Sequence, residues 1–155
     1  MSLRRYRRRG WTLVELVLVI AIIGTLAGIA VPSTQGYVER AKVGKAMGDI
    51  EAIQADLAGL EFLGKLPNSL EEIGRGDLLD PWGNPYQYLR FDLSGGKSHP
   101  QGARKDRFLV PINSSYDLYS MGKDGKTTAA LTASASADDI IRANDGAFIG
   151  RASEF

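Results

Sequence analysis

The sequence predicts an α+β fold, one long amino-terminal helix laid across a small antiparallel sheet. Three features predict it. An uncharged apolar stretch follows a basic arm, an apolar stripe at helical spacing continues it, and short aromatic runs bounded by turn formers fill the second half.

The helix is justified in two parts. From position 16 to 38 no residue is charged, a run of about 23, long enough to cross a bilayer. Arg4, Arg5, Arg7, Arg8 and Arg9 precede it, so the positive-inside rule puts the amino end in the cytoplasm and the rest outside. A conventional secretory signal peptide would need a small-residue site after its apolar core, which Ala27 and Ala30 approach. Pro32 removes one backbone donor and is expected to kink or locally melt the helix, or to mark a simple bend at its exit. Beyond it Ala46, Met47, Ile50, Ile53, Leu57 and Leu60 recur every three or four residues, while Lys45, Asp49, Glu51 and Asp56 take other positions. That is the pattern of a helix with one face packed on a sheet. It is expected to end near Gly64.

The remaining elements are short. Residues 67–73 read as a small helix with a capping box, Ser69 standing three before Glu72. Residues 80–85 are dense in turn formers and lead into a strand over 86–91. Residues 94–106 read as loop. Strands are expected over 108–112, pushed to a sheet edge by Pro111, and over 116–121. Residues 127–137, rich in Ala, Ser and Thr, read as a surface loop. No internal repeat is present.

Composition narrows the chemistry. The 155 residues contain no cysteine, which excludes disulfides, thiolate metal sites and cysteine nucleophiles. Without the first ten residues, 14 Lys and Arg remain against 18 Asp and Glu, a net charge of −4. A basic surface for nucleic acid is therefore not expected. His99, the one histidine, lies among Gly, Ser and Pro and reads as solvated. No Ser/His/Asp set and no Gly-rich phosphate loop is convincing, and Glu71 and Glu72 read as surface charge. An enzyme is not expected.

Glu15 is the discordant residue. A lone carboxylate at the edge of a membrane span costs roughly 2.5 kcal/mol or more without a partner. It either stays hydrated at the interface or has a specific cationic partner. Gly24 and Gly28 form a G-x-x-x-G, spacing that permits close approach of a second helix.

The run Gly10-Trp11-Thr12-Leu13-Val14-Glu15, with the apolar stretch and Pro32 behind it, resembles the leader of type IV pilins and type II secretion pseudopilins. The blocks "DPWGNPYQY" (80–88) and "YDLYSMGKDG" (116–125) are similar to those of the major, G-type pseudopilin more than to those of pilins. Major pilins often close the carboxyl end with a disulfide loop, which this chain cannot form. The resemblance covers most of the chain, but not 92–107 or 127–137. One departure is Trp11, where the family usually has phenylalanine.

The resemblance implies a pilin-like fold in three parts: a leader over 1–10 cut after Gly10, a transmembrane and assembly helix over 11–35, and a periplasmic head over 36–155. It implies N-methylation of Trp11, which keeps the amine cationic, and pairing of that amine with Glu15 of a neighbouring subunit. Pro32, in the family's place, would give extensibility. The implied function is that of a structural subunit of the type II secretion pseudopilus, polymerising from the inner membrane to drive folded exoproteins across the outer membrane. The presence of Glu15 argues against a tip subunit. Implied partners are further copies of the chain in a helical homopolymer, minor pseudopilins, the prepilin peptidase, an inner-membrane assembly platform and, indirectly, an outer-membrane secretin. The alternatives are a type IV pilin, major or minor, for adhesion, motility or DNA uptake, and a membrane-anchored calcium- or ligand-binding module that never polymerises.

A calcium ion is also implied, held in the carboxyl-terminal loop by Asp124 and the backbone carbonyls of Met121 and Lys126, with Asp138 and Asp139 closing the far side. Calcium takes six to eight oxygens, so the donor types suit it. The spacing alone reads equally as a turn at Asp124-Gly125 and a helix cap at Asp138 ahead of Ile140 and Ile141. The connection over 126–137 is longer than the family's.

Overall fold

The computed structural model describes residues 10–92 and 100–155, with the backbone but not the side chains of 29–35. The leader arginines, His99 and the side chain of Pro32 lie outside the described residues. The chain divides into two compact units, Met1–Glu39 and Arg40–Phe155.

In the first unit helix α1 (Leu13–Phe62) begins. Thr12 starts it with a capping box. Its hydroxyl accepts from the Glu15 N–H at 3.2 Å, and the Glu15 Oε2 accepts from the Thr12 N–H and hydroxyl, each at 2.9 Å. This satisfies two of the amide donors that a helix start leaves open. Every described side chain from Trp11 to Gly28 is exposed. Among the described residues no helix is long and apolar enough to cross a membrane, the described side chains of the apolar stretch stopping at Gly28.

The second unit holds the head. Its part of α1 presents Ala46, Ile50, Ile53 and Leu57, all fully buried, as the i, i+3, i+4 stripe requires. Met47 packs against this core from its margin, and Leu60 is half-buried. The sheet has four antiparallel strands in sequential order: β1 (Gln87–Arg90), β2 (Tyr116–Ser120), β3 (Ile140–Ala143) and β4 (Phe148–Arg151). Tyr116 and Leu118 of β2 and Ile140 of β3 meet the helix stripe together with Leu70 and Tyr86. The opposite face carries Ile141 and Ala143 against Ile112, Leu131 and Ala152. The sheet is therefore covered on both sides, and β3 is buried along its whole length.

That double burial explains the largest miss. Residues 140–143 show no polar alternation, because neither face meets water, and a helix cap at Asp138 is not what forms there. Residues 108–112 are not a strand. A tight turn pairs Asp106 with Leu109, the Val110–Pro111 peptide is cis, and Ile112 bonds to Arg104 and Asn144 instead of a strand edge. The 127–137 segment is not merely surface, since Leu131 and Ser136 are buried. The 3-10 helix Leu70–Ile73 forms, but Ser69 caps no amide, and Glu72 accepts from the Asn68 backbone and side chain at 3.3 and 3.2 Å.

Tyr86 and Tyr116 in the core, with Tyr88 packed against it, are expected to set an alkaline limit for the head. Burial pushes Tyr88 and Tyr116 up to about 12, and it raises Tyr86 further, beside Asp49. In the unfolded chain they ionise near 10. Stability from these groups is thus fully present below pH ~10 and lost as pH rises through their folded values. An alkaline titration should show tyrosinate absorbance from these side chains arriving together with unfolding, between pH ~10 and ~12, rather than before it.

Candidate functional site

Two regions carry the residues singled out from the sequence. In the first unit, Gly10 and Trp11 are exposed just ahead of α1. The Gly10–Trp11 bond lies outside the helix, which begins at Leu13. Glu15 lies in the first turn, its carboxylate held by Thr12. Gly24 and Gly28, four apart, share a helix face, and a Cβ built on either meets nothing within 4 Å. Among the described residues nothing packs on that face at the two glycines.

The second region is the carboxyl-terminal loop. The turn after β2 reaches Asp138 directly: the Lys123 and Asp124 amides donate to the Asp138 Oδ2 at 2.8 and 3.0 Å. Gly122 makes this approach possible, with φ of +65° and a backbone so near Asp138 that any Cβ would strike the Asp138 carbonyl oxygen. The Asp124 Oδ1 accepts from the Lys126 amide at 2.8 Å, closing a local turn. Asp139 faces elsewhere. Fully buried, its Oδ2 accepts from the Thr127 hydroxyl at 2.7 Å and pairs with the Arg104 guanidinium.

In this arrangement the aspartates expected to hold calcium are each engaged by the protein's own donors through at least one oxygen. Among the described residues no group of three acidic or histidine side chains converges as a metal site. The Asp138 oxygen faces two amide hydrogens, which favour an anion and oppose a cation, and Asp139 already has a cation. One feature points the other way, the buried Asp139 Oδ1, which has no hydrogen-bond partner.

Several working residues escaped the sequence reading. Arg104, only 2% exposed, joins Asp139, the Thr127 hydroxyl and the Thr128 carbonyl, and stacks 4.2 Å from the Tyr119 ring centroid. Its own amide donates to buried Asp117 at 2.6 Å. Burial pushes the Asp117 carboxyl up, and the hydrogen bonds from Arg104 and Asn113 draw it back. The Asp139 carboxyl behaves alike, raised by burial and drawn back by Thr127 and Arg104. Arg142 links the sheet to α1 through Gln54 at 2.8 Å and lies over the Tyr116 ring. Asp80 is buried and ties the 80–85 turn to Ser120. The available signal was charge inside otherwise apolar or loop-like runs, which by itself reads as surface.

Residues 5–31 match the family model described as the prokaryotic N-terminal methylation motif. Over 146 aligned positions the chain is 34% identical to type II secretion system core protein G of Pseudomonas aeruginosa, covering 80% of this chain and 89% of that one. It is 30% identical to core protein G of Aeromonas hydrophila with the same coverage. Over 65 positions it is 40% identical to the type IV major alpha-pilin of Moraxella bovis, covering 42% of this chain and 41% of the pilin. No solved structure matches the chain. The amino-terminal motif, the helix on its four-stranded sheet and a likeness over 80% of the chain agree, and the chain belongs to the family of type II secretion system core protein G, the pseudopilins.

Proposed function

We propose that this protein is the polymerising subunit of a type II secretion pseudopilus, made as a precursor anchored in the inner membrane with its head in the periplasm. The observation that carries the reading is the likeness to core protein G, which runs over 89% of the relative's length. The pilin likeness stops at 41% of the pilin.

The chain's own residues supply what such a subunit needs. Gly10 is the exposed residue before the cut, and Trp11 becomes the methylated amino terminus. The exposed apolar side chains from Leu13 to Leu26 form a surface too large for a water-soluble monomer; lipid covers it before assembly and neighbouring helices after. In apolar surroundings a bare carboxylate is costly, so Glu15 favours the one register in which a neighbour's amine reaches it. Gly24 and Gly28 let that neighbour come close. The work of extension comes from outside the chain, and no residue here is asked to perform catalysis.

Deleting the gene and assaying exported proteins and surface pili together tests the proposal. Exoproteins retained in the periplasm with pili intact is the expected result. Normal export with loss of pili would make the chain a pilin.

A further inference from the structure

We propose that the carboxyl-terminal loop of this pseudopilin is clasped by the Arg104 guanidinium acting as an internal cation, in place of a bound calcium ion. The inference does not depend on the filament reading, since it concerns how the head holds itself together.

The loop over 127–137 is long and has no disulfide to close it, so something must offset the entropy of fixing it. Arg104 meets both of its ends. Nη1 donates to the Thr127 hydroxyl and to the Thr128 carbonyl at 2.8 Å, at the loop's start, and Nη2 pairs with Asp139, just past its end. Ser136 closes the same gap, its hydroxyl donating to the Thr128 carbonyl and accepting from the Thr128 amide, each at 3.0 Å. In the middle, Leu131 packs on the sheet and its amide donates to the Lys105 carbonyl at 2.9 Å. Arg104 is itself fixed from beneath, because its backbone amide is held by Asp117 of β2.

The site is built for a guanidinium. Arg104 carries a full charge at 2% exposure, with a carboxylate, a hydroxyl, a carbonyl and an aromatic face around it. A planar fork uses such partners in a way a spherical ion does not. The unpartnered Asp139 Oδ1 does not require a metal. The Arg104 Nε is the matching buried donor without a partner, and a side-on fork, Nε to Oδ1 beside Nη2 to Oδ2, would satisfy both atoms at once. Meanwhile Asp138, the other carboxylate on this side, has its Oδ2 held by two backbone amides.

The test uses the full processed chain in detergent, melted in excess EGTA and at millimolar calcium, with bound calcium measured by mass spectrometry. The clasp predicts midpoints within ~2 °C of each other and no stoichiometric calcium, because a ligand that binds only the folded state must raise the midpoint. Arg104→Met should lower the midpoint by roughly 10–20 °C by leaving Asp139 buried and unpaired, and calcium should not restore it. Arg104→Lys, which keeps the charge but loses the fork, should fall between. A calcium-dependent rise of more than ~5 °C in the wild-type protein, or an Arg104→Met variant as stable as wild type, would overturn the proposal. Should Arg104→Met fail to fold, the wild-type measurement and Arg104→Lys still decide.

Discussion

Replacing Glu15 with glutamine is expected to abolish filament assembly and export while leaving the subunit cleaved and stable in the inner membrane. Two roles meet on this side chain. In the isolated chain its carboxylate completes a capping box with Thr12; in a filament it would neutralise a neighbour's amine. Glutamine serves a capping box nearly as well as glutamate but carries no charge, so Glu15→Gln separates the roles. A cation left unpaired in an apolar setting costs about 2.5–3.5 kcal/mol, so each subunit addition should weaken by roughly 100-fold. Because that penalty recurs at every addition, polymer should be undetectable by cross-linking. Thr12→Ala keeps the charge and loses the cap, worth about 1 kcal/mol, and should assemble. Filaments from Glu15→Gln with none from Thr12→Ala would assign Glu15 to the helix start alone.

Much of this was legible because the constraints are local. A bilayer-length uncharged run, a basic arm and a glutamate in the first turn leave little freedom, and the stripe from Ala46 to Leu57 lands on the core as its spacing requires. What stayed hidden depends on contacts far apart in the chain. Nothing near Arg104 indicates that Asp139, 35 residues later, will pair with it. Ile140 and Ile141 point to opposite cores, so their strand shows no alternation to read. The T-x-x-E pattern at Thr12 forms a capping box, whereas the S-x-x-E at Ser69 forms no cap bond. A family resemblance places aspartates in a loop, but whether they converge on an ion depends on side chains such as Arg104 that the motif does not include.

Asp80 shows how a turn motif becomes a structural joint, and Asp80→Ala should be among the most damaging changes in the head. The carboxylate is 4% exposed and accepts three bonds, from the Trp82 and Asn84 amides at 3.0 and 2.8 Å and from the Ser120 hydroxyl at 2.5 Å. Ser120 in turn accepts from the Gly122 amide at 3.0 Å, and the Asn84 side chain donates to the Gly122 carbonyl at the same distance. The 80–85 turn thereby positions the backbone that reaches Asp138. Alanine would strand two part-buried amides, each costing about 1–3 kcal/mol, whereas the hydroxyl can rotate to another acceptor. The expected loss is ~3–4 kcal/mol, a fall of roughly 10–20 °C in the midpoint. Asp80→Asn keeps one acceptor oxygen for the two amides and should lose about half as much. Trp82, inside the turn, provides a fluorescence signal for the change, and protease cleavage within 121–137 measures whether the disturbance travels. Should cleavage there stay at the wild-type rate while the midpoint falls, the turn stabilises the head without positioning the loop; faster cleavage together with the fall in midpoint would make Asp80 the joint between them.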